Sequence, residues 1–265
     1  MDIVAIIIFL IAGFLFGIIS SIAGVGGGIF FVSIMVLIFS VSINIAIDTS
    51  IFIILMSSAA GFFTYIKAER LHFKQVLLFS SFSILGGISS TILFLFIDLD
   101  STILRILFAS ILMVAGINMI YKAIRSRNDG NTQKEKENDI IDLNDHDYKT
   151  NLKKAIPLFF LAGFIANLLG IGGGVINTPA LHVILQYPIH NATAISVGII
   201  CFTAIYNTIA KSIIGQIDYL IGILIGMGAI LGSILGAKIS GKMPRSYLQF
   251  FVAIVLMGLA IRMYF

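Results

Sequence analysis

A run of glycines written twice constrains this chain more than any other feature. Gly24-Val25-Gly26-Gly27-Gly28 returns as Gly170-Ile171-Gly172-Gly173-Gly174, at an offset of 146 positions. At that one offset Gly17 falls on Gly163, Ile19 on Ile165, Ala46 on Ala192, Ser50 on Ser196, and Leu85-Gly86 on Leu231-Gly232. Ile-rich segments match one another by chance, but a gapless register of glycines does not. The chain is an internal duplication, so its fold is two copies of one unit.

The unit is apolar. Hydrophobic residues make up 58% of the 265 and charged residues 11%, against roughly a quarter charged in soluble domains. Several charge-free runs reach the roughly 20 residues that cross a hydrocarbon layer as a helix. These runs predict an all-α polytopic membrane protein. A net charge of +4 then reports loop orientation and not nucleic-acid binding. The single cysteine, Cys201, lies inside an apolar run, which excludes a disulfide framework and a Cys-based metal site.

Taken in order, the first copy covers 1–125, a polar linker 126–154, and the second copy 155–265. The run Ile3–Ile19 reads as a retained membrane segment, because Asp2 is the only charge before Asp48 and no basic start marks a signal peptide. The next run, from Gly28 to Val41, is too short for a full crossing at about 1.5 Å per residue. Runs at 45–66, 75–97 and 102–124 complete the copy, and the second copy repeats the plan at 155–169, 174–187, 191–214, 218–240 and 247–264. Each copy thus holds five hydrophobic segments, the first two short, broken or re-entrant at the G-x-G-G-G run.

Charge bias orients the copies. Lys67, Arg70 and Lys74 align with the neutral Ile213, Gln216 and Leu220, whereas Asp98 and Asp100 align with Pro244 and Ser246 beside Lys242 and Arg245. Equivalent loops of opposite bias lie on opposite faces of a membrane. The copies are therefore expected to be inverted repeats, with the basic linker cytoplasmic and both termini outside.

The glycines also suggest a chemistry. A helix starting at Gly26–Gly28 presents N–H groups with no intrahelical partner and the positive end of its dipole. Glycine carries no Cβ, so a small anion can approach them without a buried Lys or Arg. The second copy offers the same at Gly172–Gly174, and paired half-helix starts near a membrane midplane suit a transported oxyanion. Candidate anion-binding residues are Gly24, Gly26, Gly27, Gly28, Gly170, Gly172, Gly173 and Gly174, with the polar Asn167, Asn177, Thr178, Ser50, Ser196, Thr203 and Asn207 around them. Ser20 and Ser21 flank the first run. For Gly13/Gly17 and Gly232/Gly236 close helix packing is the simpler reading. Alanine at Gly27 or Gly173 is expected to weaken binding while stabilising the helix.

Asp48 opens the third segment. It is either a helix cap or a carrier of a coupling proton, and its repeat mate Ala194 makes any coupling asymmetric. Lys67 and Lys211 near segment ends are expected to snorkel. His182 and His190 read as satisfied or interfacial groups. No Lys-Ser or Lys-Thr follows either glycine run, and no HExxH or GxSxG occurs, so neither a P-loop nor an intramembrane hydrolase is expected. No cofactor is implied.

The patterns Gly17-x6-Gly24-x-Gly26-Gly27-Gly28 and Gly163-x6-Gly170-x-Gly172-Gly173-Gly174-Val-Ile-Asn-Thr-Pro179 resemble the TauE/SafE sulfite exporter family, also called the toluenesulfonate uptake permease family. The resemblance covers the chain outside 126–154, with Ser33 standing where the second copy has Pro179. It implies a transporter of small anions, a sulfur oxyanion such as sulfite or an organosulfonate first among them. A secondary carrier, a passive anion channel and an accessory subunit of an export complex all fit the sequence. Oligomeric state, direction and coupling ion are not written in it.

Overall fold

The structure is a computed structural model that describes residues 3–97, 100–128, 149–240 and 257–263. The first copy runs α1 (Ile3–Ala23), α2 (Gly28–Leu37), α3 (Ile43–Lys67), α4 (Phe73–Phe96) and α5 (Ser101–Asn128). The second runs α6 (Lys149–Leu169), α7 (Gly174–Pro179) continued by a π turn (Ala180–Ile184), α8 (Ile189–Ile214) and α9 (Tyr219–Ile239). Residues 257–263 are helical; the remainder of the fifth segment of the second copy lies outside the described residues, as does 129–148 of the linker. Among the described residues, six helices (α1, α3, α4, α6, α8 and α9) are long and apolar enough to cross a membrane. A helix satisfies its backbone internally, which hydrocarbon demands of any spanning segment.

The glycine runs interrupt this plan at equivalent places. α2 turns back along α1, with Phe16 stacked on Phe30 at 4.8 Å and Phe39 on Phe9 at 3.9 Å between ring centroids. In the second copy α7 packs against α6. The copies differ where Pro179 replaces Ser33. Proline has no N–H and crowds the carbonyl four residues back, and the helix widens into a π turn closed by Leu185 N–H on the Ala180 carbonyl at 3.1 Å. Ser33 keeps the α form, its hydroxyl donating to the Ile29 carbonyl at 2.7 Å.

Packing runs between copies. Gly13 and Gly17 of α1 lie on the backbone of Ile225 and Ala229 of α9, and Gly228, Gly232 and Gly236 lie on Leu10, Phe14 and Ile18. Numbers rise together, so α1 and α9 are parallel, in contact through backbone that only small residues expose. Under the 146-residue offset this pair becomes α4 with α6. There Gly86 meets Phe160 and Phe164, Gly163 meets Ser83, and Asn167 reaches Gly87, again in parallel. At the centre α3 and α8 run antiparallel, with Asp48 beside Lys211 and Gly61 beside Val197. They are the innermost spans, 67% and 78% buried against 22% for α1, and everything that follows is built on them.

Candidate functional site

Both glycine runs are wholly buried and meet at the α3–α8 crossing. Gly24, Gly26 and Gly27 have φ of 66°, 96° and 70°; their mates Gly170, Gly172 and Gly173 have 67°, 86° and 73°. These are left-handed conformations that a Cβ disfavours by about 1–2 kcal/mol each. Gly28 and Gly174 are glycine for a different reason. A Cβ on Gly28 would strike the carbonyl oxygen of Gly170, and one on Gly174 that of Gly24. Gly26 faces its own mate, because a Cβ on either would lie 3.1 Å from the other's Cα.

Side chains from the crossing helices hold the runs together. Ser50 Oγ of α3 donates to the Gly170 carbonyl at 2.8 Å and to its own Ile47 carbonyl at 2.7 Å. Its mate Ser196 of α8 donates to the Gly24 carbonyl at 2.9 Å, and Thr178 Oγ1 adds a second donor there at 3.0 Å. Each copy therefore pins the glycine run of the other. These three hydroxyls are committed to carbonyl oxygens.

The helices start at the last glycine of each run, within the Gly26–Gly28 and Gly172–Gly174 bounds expected from the sequence. α2 begins at Gly28 with Gly27 as cap, α7 at Gly174 with Gly173 as cap, and neither cap makes a side-chain bond. Ala is thus not helix-stabilising at Gly27 or Gly173, which lie outside the helices in the left-handed region. At Gly27 a Cβ would also press on Phe31 at 2.9 Å, and at Gly173 on the Ala162 carbonyl at 2.8 Å. The N–H groups of Gly26 to Ile29, and of Gly172 to Val175, have no acceptor among the described residues. Buried N–H groups without partners are rare in proteins and call for water or a ligand.

Beside Gly172 lies a cavity of about 10 Å³, lined by Ile51, Ile54, Ala166, Ile200, Thr203, Ala204 and Asn207. That is close to the smallest space that holds one water. Asn207 is buried and its Oδ1 has no partner. Thr203 donates to the Ile199 carbonyl of its own helix at 2.8 Å. Asn167 lies to one side, donating to the Gly87 carbonyl at 3.0 Å and to Thr91 Oγ1 at 2.7 Å. Tyr206 OH also meets Thr91 Oγ1, at 3.2 Å. Asn177 is buried with Oδ1 unpartnered. The structure brings together Gly26, Gly172, Ser50, Ser196, Thr203 and Asn207, while Asn167 belongs to the α4–α6 seam.

Asp48 does not cap its helix. It is the sixth residue of α3, beyond reach of the free N–H groups of the first turn, and the cap position is Ser42. Its carboxylate instead crosses to the other copy, 2.8 Å from Lys211 Nζ and accepting from Gln216 N–H at 2.9 Å. Lys211 does not snorkel. It is 6% exposed and its ammonium lies 4.0 Å from the centre of the Phe94 ring. The pair forms part of the wall of a vestibule of about 560 Å³ that also includes Asn44, Phe94 and Gln216. The partnership was not legible in sequence: Lys211 was visible as a charge in an apolar run, but its partner stands on another segment. His182 Nδ1 lies 2.9 Å from the Tyr187 carbonyl, and His190 is buried.

The model of the sulfite exporter TauE/SafE family matches residues 9–263. A protein of Methanocaldococcus jannaschii named "Probable membrane transporter protein" is 31% identical over 202 residues, 74% of this chain and 68% of that protein. The Probable membrane transporter protein YunE of Bacillus subtilis is 26% identical over 265 residues, 94% of each chain. The Probable membrane transporter protein YdhB of the same organism is 24% identical over 236 residues, 89% of this chain and 91% of that protein. No solved structure matches. The match across almost the full length, on a fold whose described residues include six helices long and apolar enough to span a membrane, places this chain in the TauE/SafE sulfite exporter family as a multi-pass membrane transporter.

Proposed function

We propose that the chain carries a small anion, a sulfur oxyanion such as sulfite or an organosulfonate, by alternating access around the two glycine runs. The observation that carries this reading is the set of N–H groups without acceptors among the described residues where the runs meet, beside the cavity that Asn207 lines. Such groups replace an anion's hydration shell without a buried cation. A cavity near the size of one water does not hold an oxyanion, so binding requires the crossing helices to part.

Two features support alternation. The helix directions support inverted copies: α1, α3 and α9 are parallel, whereas their repeat mates α6, α8 and α4 run the other way across the short α3–α4 turn. The two ends also differ. Asn44 is exposed and Phe94 half-buried beside the vestibule, while their mates His190 and Ser240 are 5% and 1% exposed. Inverted copies in unlike conformations give one open and one closed end, and exchanging those conformations moves the opening. Asp48, the buried carboxylate among the described residues, is the candidate for a coupling proton.

Uptake of labelled sulfite and sulfate into proteoliposomes tests the reading. Asn207→Ala and Thr203→Val are expected to lower saturable uptake at least about tenfold, the loss of one or two good ligand contacts, with melting temperature little changed. Unsaturable flux insensitive to a counter-ion would favour a passive channel. Normal uptake in both variants would remove the anion from this site.

A further inference from the structure

At the end of the molecule opposite the vestibule, α3 and α9 enclose a groove of about 670 Å³. Its walls are apolar, built from Ala60, Phe63, Ile234 and Ala237, and Phe63 is 62% exposed. Its mouth carries three cations, Lys67, Arg70 and Lys238. None of the three makes an ion pair among the described residues, although Glu69 is adjacent.

Arg70 is the most firmly placed of the three. Its backbone is fixed, with N–H donating to the Tyr65 carbonyl at 3.2 Å and its own carbonyl accepting from Asn191 Nδ2 at 3.2 Å. One guanidinium nitrogen, Nη1, is buried without an acceptor. The groove that Arg70 lines offers no carboxylate to pair with its charge.

We infer that this groove binds an anionic phospholipid, its phosphate on Arg70 with Lys67 and Lys238 alongside and an acyl chain against Phe63 and Ile234. The walls belong to two spanning helices, so the neighbouring medium is acyl chain. A free inorganic anion would leave the apolar length of the groove empty. A zwitterionic lipid would bring its own cation against three others. Basic pockets between spanning helices suit anionic headgroups on these grounds. The inference rests on α3 and α9 crossing the membrane and is independent of what the glycine runs carry.

Native mass spectrometry of the full chain released from detergent tests it, with phosphatidylglycerol, phosphatidylcholine and inorganic phosphate added separately. Wild type is expected to retain phosphatidylglycerol about tenfold or more over phosphatidylcholine, since each basic residue near a headgroup adds to that preference. Lys67→Gln/Arg70→Gln/Lys238→Gln should lose the preference, and Lys153→Gln/Lys154→Gln, at exposed sites outside the groove, should keep it. If the triple variant fails to fold, Ala60→Phe fills the apolar part and leaves the cations; it should lose the lipid. Equal retention of both lipids, equal loss in the Lys153/Lys154 control, or retention of lipid by Ala60→Phe would overturn the inference. Displacement of phosphatidylglycerol by millimolar inorganic phosphate would do so too, by making the site one for a free anion.

Discussion

The centre of the molecule and its two ends have diverged to very different degrees since the duplication. At the centre, Ser50 and Ser196 make the same bond to mated carbonyls, at 2.8 and 2.9 Å, and mated glycines agree in φ to within ten degrees. At the ends, one copy of a position holds an ammonium 2.8 Å from a carboxylate, Lys211 with Asp48, and the other holds Tyr65 and Ala194. Tyr65 is fully buried and its OH donates to the Ser21 carbonyl at 2.9 Å. The contrast separates two demands. Backbone against backbone at the crossing admits no side chain in either copy, so both copies keep glycine. The ends meet different surroundings, and there each copy follows its own chemistry.

That contrast can be broken by substitution, and the largest effect belongs at the centre. Gly28→Ala and Gly174→Ala each drive a methyl into a carbonyl oxygen held by a serine, and each is expected to destabilise by more than about 4 kcal/mol. Folded yield after solubilisation measures this, and a wild-type yield for one of the two would break the equivalence. Lys211→Met comes next, because it strands Asp48; the loss is about 3–5 kcal/mol, and Asp48→Leu/Lys211→Met should recover most of it. Chemical denaturation of the three proteins decides whether the pair acts through charge. The smallest effects are Ser50→Ala, Ser196→Ala and Tyr65→Phe, at about 1 kcal/mol each for one hydrogen bond. Ser50→Ala should cost the more of the two serines. The Gly24 carbonyl keeps Thr178 as a donor after Ser196→Ala, whereas the Gly170 carbonyl keeps none among the described residues after Ser50→Ala. Equal losses would show that Thr178 does not share the load.

For function the asymmetry is sharper. Asp48→Asn is expected to abolish pH-driven accumulation and to leave exchange of labelled substrate intact if Asp48 carries the proton. Unchanged pH dependence in a folded variant would reduce the Asp48–Lys211 pair to a structural clasp.

Much of the centre was legible in sequence because glycine has few substitutes where backbones touch, so a gapless register of glycines already marks the crossing. The segments were legible from apolar length, although α6 begins at Lys149 and not at the Ala155 expected from hydropathy. Neither the Asp48–Lys211 pair nor the commitment of Ser50 and Ser196 to carbonyls could be read. Each joins groups more than a hundred residues apart, and residue type alone does not say which acceptor a hydroxyl will find. The effect of alanine at Gly27 and Gly173 was misjudged for a local reason. Helix propensity applies inside a helix, and both residues stand just before one at φ of 70° and 73°.

The proposed inversion of the copies is tested most directly by asking which face of the membrane equivalent loops reach. Ala68 and Gln216 are both exposed and lie in the loops that follow α3 and α8. Single cysteines at these positions in a Cys201→Ser background, in sealed right-side-out vesicles, meet an impermeant maleimide from outside. Gln216→Cys should label at once, and Ala68→Cys only after the vesicles are opened. Labelling of both from the same face would contradict the inverted arrangement.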